Sequence, residues 1–332
     1  MTRPTDIPVL NGLRGFAALS VCLFHFICTV NGFIDSDFFT GIFSFGHYGV
    51  QMFFVISGFI IPWSMYHNGY KLKHYFTFAA KRFIRLEPPY LVSLMVAIAH
   101  TYIRMLSPHY NGVDITPDTT QVLLHFGYLI PFFQDQEWIR QVYWTLAIEF
   151  QYYLTIALLF PLIANGNFYL RFLSYLIMFS GVFFFKGFFP FHLPVFLFGI
   201  CLFLYKANII RWLELSILII AAGLEVVFYH DVATLIFASV TFLVILFFTD
   251  YKNKVAVFLG EISYSVYLFH GLTGLVILNY FSHSVEHPLL KFLLVLLAIL
   301  VTIVAAYLVY RFVELPSKKL SSRIKFVKNK EK

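Results

Sequence analysis

Arg14 and His25 stand eleven residues apart in the run LNGLRGFAALSVCLFHF. On a helix, eleven residues make almost three turns, so both side chains leave one face about 16 Å apart along the axis. A histidine in an apolar run is suited to general-base work because it exchanges its proton near neutral pH. It is equally suited to packing, bonded to a backbone carbonyl. An arginine at the end of the same face is an anion contact. Gly12, Gly15, Ala18 and Cys22 lie on or near that face, small enough to admit a neighbouring helix or a ligand.

Other polar residues interrupt apolar runs. Glu149 lies in YWTLAIEFQYYL. A carboxylate there must pair, protonate or face water. It is either a structural interhelical partner or the group that orients a histidine and steadies its cation. Arg82 and Arg85, in KRFIRLEPPYL, share a helix face at i,i+3. They read as membrane anchors or as a bidentate phosphate clamp. Glu87, Pro88 and Pro89 follow, and the prolines suit the first turn of the next helix. Ser57 in FFVISGFIIPW is a nucleophile or bonds its own helix backbone. Tyr264, Ser265 and His270 in GEISYSVYLFHG line a polar cavity or join helices. There is no G-x-S-x-G, P-loop or zincin pattern, and the three cysteines have no C-x-x-C spacing, so no metal is expected.

The elements that hold these residues follow from composition. Of 332 residues, 60% are hydrophobic and 12% charged, about half the charge of a soluble domain. Mean hydropathy is +0.78. These values exclude an ordinary soluble enzyme, a disordered regulator and a nucleic-acid binder. The expected fold is all-α: a polytopic membrane protein of about ten transmembrane helices. The apolar runs place them near 12–31, 46–66, 86–106, 144–164, 168–185, 190–206, 210–228, 231–249, 260–281 and 288–313. The first run has no short h-region with a cleavage site and reads as a retained helix. Gln121 to Phe133, broken by Pro131, reads as interfacial or re-entrant.

Charge orients this layout. With a cytoplasmic N-terminus, 20 of the 24 Lys and Arg residues fall on the inner side, among them Arg3, Arg14, Lys81, Arg82, Arg85 and the C-terminal cluster. Only Arg104, Arg140, Lys186 and Lys291 fall outside, while Asp114, Asp118, Asp135 and Glu137 mark an outer loop. Both termini are therefore expected in the cytoplasm. Residues 1–320 form the membrane domain, and 321–332 form a basic tail against the anionic inner leaflet. The net charge of +7 is thus a topology signal and implies no nucleic-acid partner.

In order, the motifs LRGFAAL…FH, FFVISGF, RFIRLEPPYL, YWTLAIEFQYYL, ISYSVYLFH and FVELP resemble the acyltransferase 3 family of bacterial inner-membrane acyltransferases, from about residue 10 to 320. The resemblance implies ten helices in the bacterial inner membrane and transfer of an acyl group, usually acetyl, from cytoplasmic acyl-CoA to a hydroxyl of a glycan or similar acceptor. By position it implies that His25 is the essential histidine, with Arg14, Arg82, Arg85 and Glu149 on the family's arginines and glutamate. A second glutamate often follows the first; here that position is Phe150. The resulting scheme puts acyl-CoA on Arg82, Arg85 and Arg14, its arm beside the first helix, and His25 as base on the acceptor hydroxyl. Glu149 is expected to orient His25 across one shared cavity, within about 10 Å directly or through water. Composition and topology fit a ten-helix transporter or flippase equally well, though no paired half-repeats are visible and transport does not explain the arginine pair beside a deep histidine. An unrelated membrane acyltransferase with an intramembrane histidine is the other enzyme reading.

Overall fold

The computed structural model describes residues 7–30, 32–106, 116–133, 135–184 and 188–326. Arg3, Asp114, Lys186 and the tail from residue 327 lie outside them. Among the described residues, ten helices of sixteen residues or more form on the ten apolar runs. They are α1 (Val9–Cys28), α2 (Gly49–His67), α3 (Tyr75–Met105), α4 (Trp144–Ile163) and α5 (Phe168–Phe184). Then come α6 (Phe189–Lys206), α7 (Trp212–Tyr229), α8 (Val232–Phe247), α9 (Lys254–Phe269) and α10 (Pro288–Val309). A π-helical turn, Tyr310–Glu314, joins α10 to α11 (Leu315–Arg323).

The expected count of ten spans is not met by length and composition alone. Seven helical segments are long and apolar enough to cross a membrane. The other three are α5 and α8, which are apolar but short, and α3. The first half of α3 carries Lys81, Arg82, Arg85 and Glu87. Along α10, Leu293, Leu296, Leu300, Val304 and Leu308 stay exposed, an apolar stripe suited to face lipid.

The ends of several helices are written locally. The Asp231 carboxylate accepts the Thr234 N–H at 2.7 Å and caps α8. The Asn253 side chain accepts from Val255 and Ala256 and caps α9. One boundary departs from expectation: α3 begins at Tyr75 and runs through Pro88 and Pro89, which the sequence placed in a first turn. The prolines remove the N–H groups that would meet the Ile84 and Arg85 carbonyls. In the same stretch the Tyr264 hydroxyl donates to the Leu86 carbonyl at 3.0 Å. Neighbouring helices thus hold the turn that local propensity would break.

Two close helix contacts set the bundle. α1 crosses α9 where Gly15 faces Leu259 and Gly260, and a Cβ on Gly260 would collide with the backbone of Asn11. α2 crosses α6 with Gly58 against Gly199, again with no room for a Cβ. Around the second contact Phe59, Phe196, Phe198 and Phe203 form a fully buried aromatic core.

The Gln121–Phe133 stretch enters the protein. A short helix, Thr119–His125, is followed by Gly127 and Tyr128 in left-handed conformation and a 3-10 turn, Ile130–Phe132. Tyr128 is thereby buried against Tyr90 and Phe150, with ring centroids 4.9 and 5.3 Å away. Phe150 therefore supplies aromatic packing at the position where a second glutamate was considered.

Candidate active site

Six parts of the chain converge on a cavity of about 250 Å³. α1 contributes Arg14, α2 Ser57, and α3 Arg82 and Arg85. α4 contributes Glu149 and Tyr153, α9 Tyr264 and Tyr267, and the π-turn with α11 supplies Glu314 and Lys318. The i,i+3 spacing brings Arg82 and Arg85 to this cavity together. The Arg82 guanidinium lies 5.1 and 5.4 Å from the ring centroids of Phe78 and Tyr153. Its Nε is buried without a hydrogen-bond partner. Among the described residues, no carboxylate lies within ion-pair distance of Arg14, Arg82 or Arg85. Cations taken partly out of water are normally paired, and these three half-buried guanidiniums share one cavity without an ion pair.

Glu149 belongs to this cavity. Its Oε1 accepts the Ser57 hydroxyl at 2.8 Å and the Tyr153 hydroxyl. Tyr153 lies one turn along α4, at i,i+4. The carboxylate and the guanidiniums thus share one low-dielectric space without direct pairing.

His25 lies elsewhere. Its Nδ1 is 2.9 Å from the Val21 carbonyl and 3.3 Å from Nε2 of His270, and the two rings stand 4.9 Å apart. His270 is 1% exposed, whereas His25 is half-buried. Of the two residues expected to share a cavity, only one is in the lining of this one. Glu149 lines the arginine cavity and His25 does not. Tyr267 stands at both places: its side chain lines the cavity, and its ring lies 6.0 Å from that of His270. The Tyr267 hydroxyl is fixed by Thr145 at 2.8 Å.

The remaining expected residues divide. Tyr264 lines the cavity, as anticipated, and Ser57 bonds Glu149 rather than its own helix. Ser265 and His270 do not line the cavity. Ser265 is buried and donates to Glu314 Oε2 at 2.6 Å. Among the cavity residues not singled out from the sequence are Tyr153, Tyr267, Glu314 and Lys318. A signal existed for two of them. Glu314 is the glutamate of FVELP, and Lys318 lies four residues on, paired to Glu314 Oε1 at 2.6 Å.

A multi-pass helical bundle with an arginine-lined cavity toward one end of α1 and a histidine pair toward the other defines the class: a multi-pass membrane protein with a polar cavity between its helices. The chain belongs to the acyltransferase 3 family, whose acyltransferase domain matches residues 7–311. It is 29% identical to acyltransferase MdmB of Streptomyces mycarofaciens over 164 residues, 48% of this chain and 41% of that one. It is 27% identical to the O-acetyltransferase OatA of Staphylococcus aureus over 172 residues, 49% of this chain and 25% of OatA. ORF330 of the Acidianus two-tailed virus is 28% identical over 319 residues, 85% of this chain and 90% of that one. The matched part thus spans less than half of MdmB and of OatA. No solved structure matches the chain.

Proposed function

We propose that the protein is a membrane O-acyltransferase that moves an acyl group, acetyl in the simplest case, from acyl-CoA to a hydroxyl of an exported or cell-surface glycan. The observation that carries this reading is the set of three guanidiniums in one cavity without a carboxylate partner. Acyl-CoA is a polyanion, and arginine binds its phosphates bidentately. Arg14, Arg82 and Arg85 would hold the nucleotide phosphates, with Lys318 beside them. The acyl arm would run along α1, past Tyr267, over the ~16 Å between Arg14 and His25.

At the far end His25 takes the proton of the acceptor hydroxyl. The oxygen attacks the thioester carbonyl, the tetrahedral intermediate collapses, and the CoA thiolate leaves with the proton that His25 returns. The charge asymmetry supports a cytoplasmic arginine cavity, and in this reading the protein lies in the inner membrane of a bacterial cell with its donor on the cytoplasmic side. The acceptor then meets His25 from the outer half.

The test uses the purified protein in lipid nanodiscs with labelled acetyl-CoA and isolated envelope glycan. Label transfer is expected together with stoichiometric release of free CoA, and His25→Ala is expected to lose about 10²–10⁴-fold. Transfer from another acyl donor but not from acetyl-CoA would remove the donor assignment. A His25→Ala rate within a few-fold of wild type would remove His25 as base.

A further inference from the structure

From the geometry of the two rings we infer that His270 is a positioning residue that, together with the Val21 carbonyl, holds the Nδ1–H side of His25 and takes the place in the dyad that a carboxylate usually fills. This rests on His25 being the base, as proposed above. The argument begins with acceptors. Nδ1 of His270 lies 2.7 Å from the Tyr267 carbonyl and 3.3 Å from that of Val266. Carbonyl oxygens only accept, so this Nδ1 carries the hydrogen. Nδ1 of His25 lies 2.9 Å from the Val21 carbonyl and carries a hydrogen for the same reason.

The contact between the rings then has one solution. His25 Nδ1 and His270 Nε2 are 3.3 Å apart. With a hydrogen already on His25 Nδ1, a second one on His270 Nε2 would point at the first. His270 is therefore neutral, and its Nε2 lone pair shares the His25 Nδ1–H with the Val21 carbonyl, a three-centre bond with arms of 3.3 and 2.9 Å. This leaves Nε2 of His25 as the only basic atom of that ring. Among the described residues nothing hydrogen-bonds it, and His25 is half-buried where His270 is buried. His270, at 1% exposure, cannot reach an acceptor itself.

When His25 Nε2 takes up a proton, the positive charge spreads to Nδ1–H, and the His270 lone pair steadies it. A neutral imidazole does this without placing a second charge in the membrane. The other titratable side chains around the pair are Cys22 on α1, His47, whose ring lies 5.2 Å from Phe24, and Tyr267 on α9.

Diethyl pyrocarbonate, which acylates unprotonated imidazole nitrogen, tests this without acyl-CoA. In the full-length protein in nanodiscs, mass spectrometry follows modification of His25 against pH. The midpoint is expected to fall by about one pH unit in His270→Ala, the size of one lost hydrogen bond to the charged form. His270→Gln, whose amide oxygen can accept from His25, is expected to restore it. Turnover should follow: His270→Ala loses about 10- to 100-fold in kcat with the acyl-CoA KM unchanged, and costs nothing further in a His25→Ala background. An unmoved midpoint in a folded His270→Ala protein overturns the inference, as does equal rescue by His270→Leu. A shifted midpoint with no transfer activity in the wild type would retain the pairing and remove the acyltransfer reading instead.

Discussion

Ser57 on α2 donates its hydroxyl to Glu149 on α4 at 2.8 Å, tying two helices together inside the arginine cavity. The Tyr153 hydroxyl reaches the same carboxylate oxygen. Glu149 is thereby an acceptor that ties Ser57 and Tyr153 together in the cavity wall.

This relationship separates charge from hydrogen bonding. Glu149→Gln keeps an oxygen for Ser57 and Tyr153, while Glu149→Ala leaves both hydroxyls without it. The alanine variant is expected to lose about 1–3 kcal/mol of stability, and the glutamine variant much less. Thermal unfolding in detergent measures the difference. Because Gln also removes a negative charge near three guanidiniums, its acyl-CoA KM is expected to stay level or fall.

Arg82→Ala and Arg85→Ala are each expected to raise the acyl-CoA KM about 10- to 100-fold, the range of a charge-assisted hydrogen bond. The acceptor KM is expected to hold. Lysine at either position should recover part of the loss, since it keeps the charge and forfeits the bidentate geometry. Steady-state kinetics with each substrate varied in turn checks this. Unchanged donor KM in both variants would make the pair membrane anchors.

The α1–α9 contact gives a graded test of packing. A Cβ on Gly12 would meet Ala256 at 3.5 Å, an ordinary contact. Gly12→Ala is therefore expected to be neutral or stabilising by about 0.5–1 kcal/mol. A Cβ on Gly260 has no such room against Asn11. Gly260→Ala should separate the helices, lower the melting temperature and reduce turnover, because His25 and His270 sit on this pair of chain segments.

Topology is open to labelling. In a protein with Cys22, Cys28 and Cys201 replaced, Asp118→Cys is expected to react with an impermeant thiol reagent from outside. Lys325→Cys is expected to react only after permeabilisation. Labelling of Lys325→Cys from outside would reverse the orientation and place the arginine cavity on the wrong side for a cytoplasmic donor.

Much of this protein is legible in its sequence because much of it is local. A helix is built from hydrogen bonds four residues apart, so apolar runs located all ten long helices within several residues at most ends. The Arg14–His25 relation lies within one helix and needed only the helical rise. Arg82 and Arg85 share a face for the same reason. The tertiary structure decided which helices became neighbours, and that depends on where backbones can approach. Gly15 and Gly260 let α1 meet α9, which brought His270 to His25 across 245 residues of sequence. Gly58 and Gly199 seated α2 against α6, and α4, packed on the same core, put Glu149 with Ser57 instead. Glu314 entered the cavity through a π-helical turn, which adds a residue to one turn and re-aims the side chains after it. No spacing along the chain shows that register, which comes with contacts from Ser265 and Lys318 to the Glu314 carboxylate on either side.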